Sequence, residues 1–329
     1  MWVLTLATRY CKLPGRLDGK IIIVTGASSG IGIETAAEMA RRGASKVIFA
    51  CRNEQKAKEA IRSILERYSE NNPLCLTTNL TDASVEQYLS PVKEEQLVLL
   101  KIDLEDYPSI HEFVNKVKLI ADQVDILINN AGCYFPRSAI SKNGYESQVD
   151  MNYLGPFLLT ELLMPMLIKA KGRIVNVASV AHQASTSLDL NRLDLLDERR
   201  HRTFNPYCYS KLLNCLHAVN LNRYYGEKGI VAVSLHPGVI ASNLGQNSGF
   251  WKRAFSWFSY FMKSTFDGAQ TTIYCTLLDR KDLKPGAYYS ECREATLRQK
   301  TDDPEMLDKI WNWSLDRVGL SKNTGLDET

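Results

Sequence analysis

Seven short runs of aliphatic and β-branched residues, at 21–24, 47–50, 97–102, 124–128, 173–178, 230–235 and 287–290, recur along the chain with helical-period segments between them. Runs this apolar are buried on both faces, and a helix between two of them carries the chain from one parallel strand to the next. The pattern predicts an α/β fold: a single doubly wound domain with a seven-stranded parallel sheet and helices on both faces. Right-handed crossovers then place a ligand at the carboxyl ends of the strands. A chain of 329 residues, 45% hydrophobic and 23% charged, suffices for one such core.

Between the first run and its helix lies Thr25-Gly26-Ala27-Ser28-Ser29-Gly30-Ile31-Gly32. Glycine at a strand-to-helix turn allows positive-φ conformations and close approach of a diphosphate, and the free N–H groups at the helix start point at the anion. Gly26, Ser28, Ser29, Gly30, Ile31 and Gly32 are the candidate contacts. Three residues separate the first pair of glycines and one separates the second, which departs from the G-x-G-x-x-G fingerprint.

Asn129-Asn130-Ala131-Gly132, Asn152, Ser179, Tyr207-x-x-x-Lys211 and Pro237-Gly238 follow in order. With the glycine string, this set resembles the short-chain dehydrogenase/reductase family over residues 18–320, and the stretches 151–160 and 206–213 look most like its retinol dehydrogenase-like branch. The resemblance implies a Rossmann-like domain that binds a nicotinamide dinucleotide. It also implies that Asp103 contacts adenine, that Asn130, Ala131 and Gly132 line the ribose, and that Pro237, Gly238 and Val239 clamp the nicotinamide. Ser242 stands where the family usually has threonine and keeps the hydroxyl. Asn129 reads as mainly structural.

Tyr207 and Lys211 are four apart and share one helix face, whereas Tyr209 points elsewhere. A phenol has a pKa near ~10, so a catalytic one needs a positive neighbour, here Lys211 and an oxidised nicotinamide; lowering it by roughly 3 units takes about 4 kcal/mol. Ser179, at a strand end, can donate to the substrate oxygen while Tyr207 protonates it. Pro156 lacks the N–H that would bond the Asn152 carbonyl, so Gly155 and Pro156 are expected to kink this helix and expose that carbonyl. In the family the matching asparagine holds a water beside the lysine. A packing kink is the alternative.

The second run ends Ala50-Cys51-Arg52 with no carboxylate for a ribose 2′-hydroxyl, and Arg52 suits a 2′-phosphate, so NADP(H) is favoured over NAD. Glu54 is the competing feature, since it could fold back onto the ribose. Forty Lys plus Arg against 37 Asp plus Glu leave a net charge of +3, which gives no reason to expect a nucleic-acid partner. Eight cysteines show neither C-x-x-C pairing nor clustered histidines, so no metal is expected and thiols in a reducing compartment are the simpler reading.

Residues 1–17 form an N-terminal segment whose apolar start falls far short of the ~20 residues that span a bilayer, so no transmembrane helix is expected and membrane-surface contact or packing on the protein remain open. Residues 69–96 read as a surface insertion, 182–205 as an excursion bordering the substrate mouth or a solvated loop, and 321–329 as a polar tail. Seven of the twelve residues 250–261 are aromatic, with Lys252, Ser256, Ser259 and Lys263 making one polar stripe. The region 241–268 is therefore expected as a substrate lid, a membrane-interface helix or a core helix.

The resulting expectation is an NADP(H)-dependent oxidoreductase that interconverts a lipophilic alcohol and its aldehyde or ketone. Tyr207 is the general acid in reduction, with Lys211, Ser179 and Asn152 in support. A retinal-like substrate is favoured; steroid, fatty aldehyde or xenobiotic carbonyls are the alternative, and a non-catalytic NADP-binding sensor or scaffold is the alternative of another class. The expected location is a cytoplasmic face, peripheral on endoplasmic reticulum or another membrane. Family analogy suggests a homodimer through the helices carrying Asn152 and Tyr207.

Overall fold

The computed structural model describes residues 9–77, 83–134, 139–185, 190, 206–238, 263–297 and 303–320. Val239, Ser242, the aromatic stretch 250–261, most of 182–205 and the tail 321–329 lie outside the described residues. Strands β1 (Ile21–Thr25), β2 (Lys46–Cys51), β3 (Leu97–Lys101), β4 (Ile126–Asn129), β5 (Arg173–Val177), β6 (Val231–His236) and β7 (Tyr288–Ser290) pair in parallel in the order β3-β2-β1-β4-β5-β6-β7. The order reverses between β1 and β4, which opens a crevice at their carboxyl ends.

Among the described residues the sheet has eight strands, not seven: β8 (Arg293–Ala295) pairs antiparallel with β7. The sequence carries no apolar run there, because β8 is a three-residue edge strand, Arg-Glu-Ala, that is largely exposed. Its turn is equally unmarked. Glu291 and Cys292 take φ of 52° and 53°, left-handed conformations for which a hairpin normally uses glycine or asparagine.

The helices are α1 (Gly30–Arg41), α2 (Glu54–Tyr68), α3 (Tyr107–Ile120), α4 (Gly155–Lys169), α5 (Pro206–Tyr225), α6 (Thr265–Leu277) and α7 (Pro304–Arg317). Local chemistry starts several of them. Asn53 caps α2 by accepting from Lys56 N at 2.9 Å, Ser264 and Asp267 form a capping box on α6, and Asp303 caps α7 just before Pro304. Alternate strand residues then face opposite layers. Ile23, Ile48, Leu127 and Ile174 pack with Phe113, Phe157, Leu213 and Trp311 of α3, α4, α5 and α7. Ile22, Val24, Phe49 and Val175 pack with Met39, Ile64 and Ile273 of α1, α2 and α6.

Within 69–96 the described residues are tucked over the end of α1 rather than held off the surface. The Arg41 guanidinium donates to the carbonyls of Cys75 at 3.3 Å and Thr77 at 2.6 Å, Ser90 N donates to Arg41 O at 2.8 Å, and Val85, Leu89 and Val92 are buried. The helical run Ser147–Lys169, 23 residues long, is apolar enough to cross a membrane by length and composition, but 72% of its apolar window is buried inside the protein. It is the core helix beneath the sheet.

Helix α7 closes the α4–α5 side. Trp311 stacks on Tyr224 with centroids 4.6 Å apart and meets Phe157 edge-on at 5.0 Å. Asn220 Nδ2 donates to Leu307 O at 2.8 Å, and the Tyr153 and Ser314 hydroxyls share a buried bond of 2.6 Å. Truncating Trp311 leaves a large cavity in this layer. Trp311→Ala is expected to destabilise the protein by about 3–5 kcal/mol, read from the shift of its urea unfolding midpoint.

Candidate active site

The glycine turn is built as its spacing requires. Gly26 and Gly30 take φ of 67° and 60°. A Cβ on Gly26 would stand 3.1 Å from Ala131 Cα, and one on Gly32 would stand 2.3 Å from Gly26 O and 2.7 Å from Asn130 Nδ2. Ser29 is the N-cap of α1 without a side-chain cap bond, and the first turn carries no acidic residue. The opening N–H groups, Ile31's among them, therefore suit an anion. Ser28 lies between this turn and Cys51, with which it hydrogen-bonds; burial pushes the Cys51 thiol up to about 11.

Thr25, quoted in the motif but given no role in the sequence reading, holds the turn to the next strand end. Its buried hydroxyl accepts from Asn130 N and Ala131 N, both at 2.9 Å, and Asn130 Nδ2 donates to Thr25 O at 2.8 Å. Asn129 is structural: its Nδ2 donates to Thr160 Oγ1 at 3.1 Å and to Asn176 Oδ1 at 3.0 Å inside the core.

Arg52 follows β2 with its side chain 62% exposed, 3.7 Å from the Glu105 carboxylate. Burial, then Asp103 and Asp150, raise the Glu105 carboxyl, and Arg52 opposes them. Asp103 sits after β3, half-buried, and accepts from Glu105 N at 3.2 Å. Glu105 is a polar neighbour that no spacing rule would have picked out. Glu54 opens α2 in an exposed position.

The kink expected before Pro156 is a π-helical turn, Asp150–Leu154, in which Gly155 N–H bonds Asp150 O. A Cβ on Gly155 would stand 2.2 Å from Leu104 O, so the glycine lets this helix back onto the loop after β3. The Asn152 side chain is fully engaged. Its Oδ1 accepts from Cys133 N at 2.7 Å, and its Nδ2 donates to Cys133 O at 2.9 Å and to Ser210 Oγ at 3.0 Å. Ser210 in turn donates to Tyr207 O at 2.8 Å. Asn152 thus ties the loop after β4 to the helix that carries Tyr207.

Ser179, Tyr207 and Lys211 converge. Ser179 lies just beyond β5 and hydrogen-bonds with the Tyr207 phenol. The Lys211 ammonium is buried, donates to Val177 O at 2.9 Å, and lies 5.7 Å from the centre of the Tyr207 ring. Gly132 makes room for it, since a Cβ there would stand 3.2 Å from Nζ. Tyr209 is buried in the core and takes no part.

The electrostatics of Tyr207 and Lys211 in the chain itself are set by burial. Burial holds the Tyr207 phenol above its ordinary range against the opposing bond from Ser179. Burial also brings Lys211 down to about 8. The reason is desolvation: forming phenolate in a dry site costs more than that bond returns. The arrangement is suited to holding a proton on Tyr207 for delivery to a bound oxygen.

Two neighbours add to the sequence-derived set. Tyr134 meets Tyr207 edge-on at 5.4 Å and is 38% exposed, which makes it an aromatic wall beside the Tyr207 phenol. His182 Nδ1 lies 2.6 Å from Ser179 O, and the ring is buried. Pro237 and Gly238 follow β6 at the same sheet edge, Gly238 with φ of 97°. Among the described residues no group of histidine, cysteine, aspartate and glutamate could hold a metal ion, and all eight cysteines are free thiols.

A family model described as short chain dehydrogenase matches the chain over residues 20–95 and 62–188. Human (Homo sapiens) retinol dehydrogenase 12 is 32% identical over 311 residues, covering 94% of this chain and 90% of that protein. Human retinol dehydrogenase 14 is 34% identical over 317 residues, covering 94% and 89%. Among solved structures, an uncharacterized protein from Mycobacterium paratuberculosis aligns with a TM-score of 0.69 at 27% identity, covering 95% of this chain and 98% of that one. An NADPH-bound carbonyl reductase from chicken fatty liver shares the fold, with a TM-score of 0.56 at 20% identity over 84% and 97% of the two chains.

The glycine turn gives a direct test. In Gly32→Ala the added methyl collides with the Gly26 carbonyl, and overpacking of this kind costs roughly 1–3 kcal/mol. The expected outcome is a lower urea midpoint together with at least about tenfold weaker dinucleotide binding by titration calorimetry, because the turn itself must shift.

Proposed function

The chain belongs to the short-chain dehydrogenase/reductase family, in its retinol dehydrogenase-like branch, and from that premise we propose that it is an NADP(H)-dependent reductase of lipophilic aldehydes and ketones, with retinal-like compounds as the leading substrates. An alcohol–carbonyl oxidoreductase that uses a nicotinamide cofactor is what the family membership itself establishes. The observation that carries the finer reading is the convergence of Ser179, Tyr207 and Lys211 beside the glycine turn.

The residues fit a dinucleotide. The cradle at Gly26 and Gly32 admits no side chain, α1 opens without an acidic first turn, and Arg52 stands at the end of β2 where a 2′-phosphate would lie. Asp103 would meet the adenine, Asn130 to Gly132 the ribose, and Pro237 and Gly238 the nicotinamide. Val239 and Ser242, outside the described residues, are proposed to extend that clamp. When bound, the nicotinamide exchanges a hydride with the substrate carbon. In the reducing direction Tyr207 donates its phenolic proton to the carbonyl oxygen while Ser179 donates a hydrogen bond to that oxygen, so the product is the alcohol. Lys211 supplies the positive charge that offsets the phenolate left behind. Asn152, through Cys133 and Ser210, holds the two walls of the site in register, and its main-chain carbonyl is the proposed acceptor for a water leading to Lys211.

The relatives named retinol dehydrogenases support a retinoid, and the aromatic wall at Tyr134 suits an extended apolar molecule. Residues 18–320 are read as the catalytic domain, with 241–268 as a substrate lid and 321–329 as a tail; within the N-terminal segment 1–17, Cys11, Leu13, Gly15 and Leu17 pack on the protein, and membrane-surface contact is assigned to the apolar start, 1–7. A peripheral site on a cytoplasmic membrane face would let the enzyme draw such a substrate from lipid.

The deciding experiment follows NADPH oxidation by the purified protein with all-trans-retinal in detergent, beside Tyr207→Phe. Turnover is expected in the wild type, with a loss of at least about 10²-fold in the variant, as for removal of a general acid. Dinucleotide bound but retinal untouched would remove the retinoid and leave the other lipophilic carbonyls.

The pH dependence has a definite sign. The Lys211 ammonium is lost as pH rises through about 8. Measured as kcat/KM for NADPH, which reports the free enzyme, activity should fall above that pH, and Lys211→Arg should lack this limb whatever its residual rate. A profile flat to pH 10 in the wild type would contradict the assignment.

A further inference from the structure

Lys263 stands just before α6, and its side chain lies across the Pro237–Gly238 turn. A Cβ on Gly238 would stand 2.7 Å from Lys263 Cδ, 3.1 Å from Cε and 3.3 Å from Nζ. With φ of 97° as well, position 238 needs glycine twice over, once for the backbone and once to let the lysine stem pass. The ammonium is ion-paired with Glu291, and the two side chains are only 15% and 16% exposed. Its charge also reaches His236, which burial first and then Lys263 and His182 hold down to about 4.

Glu291 is placed for this contact at some conformational expense. It sits in the left-handed β7–β8 turn, and its other oxygen accepts from Arg9 N at 3.3 Å. An ammonium has three donors, and among the described residues Glu291 takes one of them, in a partly dry position over the turn. The turn ends β6, three strands from β1, or about 14 Å at ~4.8 Å per strand. Helix α6, starting two residues after Lys263, packs along α1. Lys263 therefore lies on the same sheet edge as the glycine turn, at the Pro237–Gly238 end of the crevice.

We propose that Lys263 binds the nicotinamide-side phosphate of the dinucleotide, with Glu291 holding the ammonium over Gly238. The inference rests on the cofactor reading of the glycine turn. A purely structural ion pair would instead fasten the hairpin to α6 and leave binding untouched.

Titration calorimetry on the full chain separates the two with three probes. NADPH carries both phosphates and the nicotinamide. The 2′-phosphate of ADP-ribose keeps both diphosphate groups without the nicotinamide, and adenosine 2′,5′-bisphosphate lacks the nicotinamide-side phosphate. Lys263→Ala is expected to weaken the first two about tenfold, as for one lost charge-assisted bond, and to leave the third unchanged, with Lys263→Arg restoring most of the loss. Unchanged affinity for all three, or an equal loss on all three, overturns the proposal; so does weakening of NADPH alone, which would place the contact on the nicotinamide. The melting temperature of each unliganded variant reports any structural role separately. Wild-type protein that prefers NADH and ADP-ribose would defeat only the NADP(H) reading, and the Lys263 comparison would then be read on ADP-ribose against AMP. Wild-type protein that binds no dinucleotide would overturn both.

Discussion

The hydroxyl of Thr25 is the point on which the site depends. It ends β1 at the place where strand order reverses, and it accepts two N–H groups from the chain leaving β4. Asn130 N also donates to Ile128 O at 3.0 Å, so the donor that depends on the hydroxyl is Ala131 N. Leaving such a donor unpaired costs about 1–3 kcal/mol, and Thr25 thereby supports the close approach of Gly26 to Ala131. Once that approach is fixed, Gly32 must be glycine and Asn130 must turn its amide back to Thr25. The glycine turn and the loop after β4 are thus one piece of structure.

A second constraint is the dry lysine. Burying an ammonium is costly unless its donors are used, and Lys211 has the Val177 carbonyl on one side and the open crevice on the other. Gly132 supplies the space, and Asn152 holds the Cys133 backbone by two bonds and the Ser210 hydroxyl by a third, so the position of Nζ follows from the packing of three separate elements. Burial weakens both groups: it raises the Tyr207 phenol and brings Lys211, 5.7 Å from the centre of the tyrosine ring, down to about 8.

The parallel sheet, the glycine turn and the Tyr207–Lys211 pair were legible because each has a local cause: doubly buried strands are apolar throughout, a tight turn needs glycine, and a spacing of four shares a helix face. The kink at Gly155 and Pro156 was legible for the same reason, although its form, a π turn, was not. What escaped depends on distance in the chain. Ser210 and Glu105 become neighbours of the site only through folding, and Tyr134 faces Tyr207 across more than seventy residues. The eighth strand escaped for another reason. Three residues, two of them exposed, joined by a turn without glycine carry neither period nor punctuation, and the strand exists because β7 offers it an edge.

Helix α7 bears on assembly. Family analogy would join two chains through the helices that carry Asn152 and Tyr207, yet α7 already occupies part of that surface, with Leu307, Ile310 and Trp311 buried against it. Exposing three such side chains would cost roughly 5–9 kcal/mol at about 1.5–3 kcal/mol each, comparable with the whole stability of a typical domain. A second copy that used the part of this surface covered by α7 would have to displace α7 and return that amount before contributing any net affinity. The bonds from Asn220 to Leu307 and from Tyr153 to Ser314 add to the barrier, because both are buried and would be left unpaired. In this chain the outer support of α5, and through it the placement of Tyr207 and Lys211, comes from its own C-terminal helix.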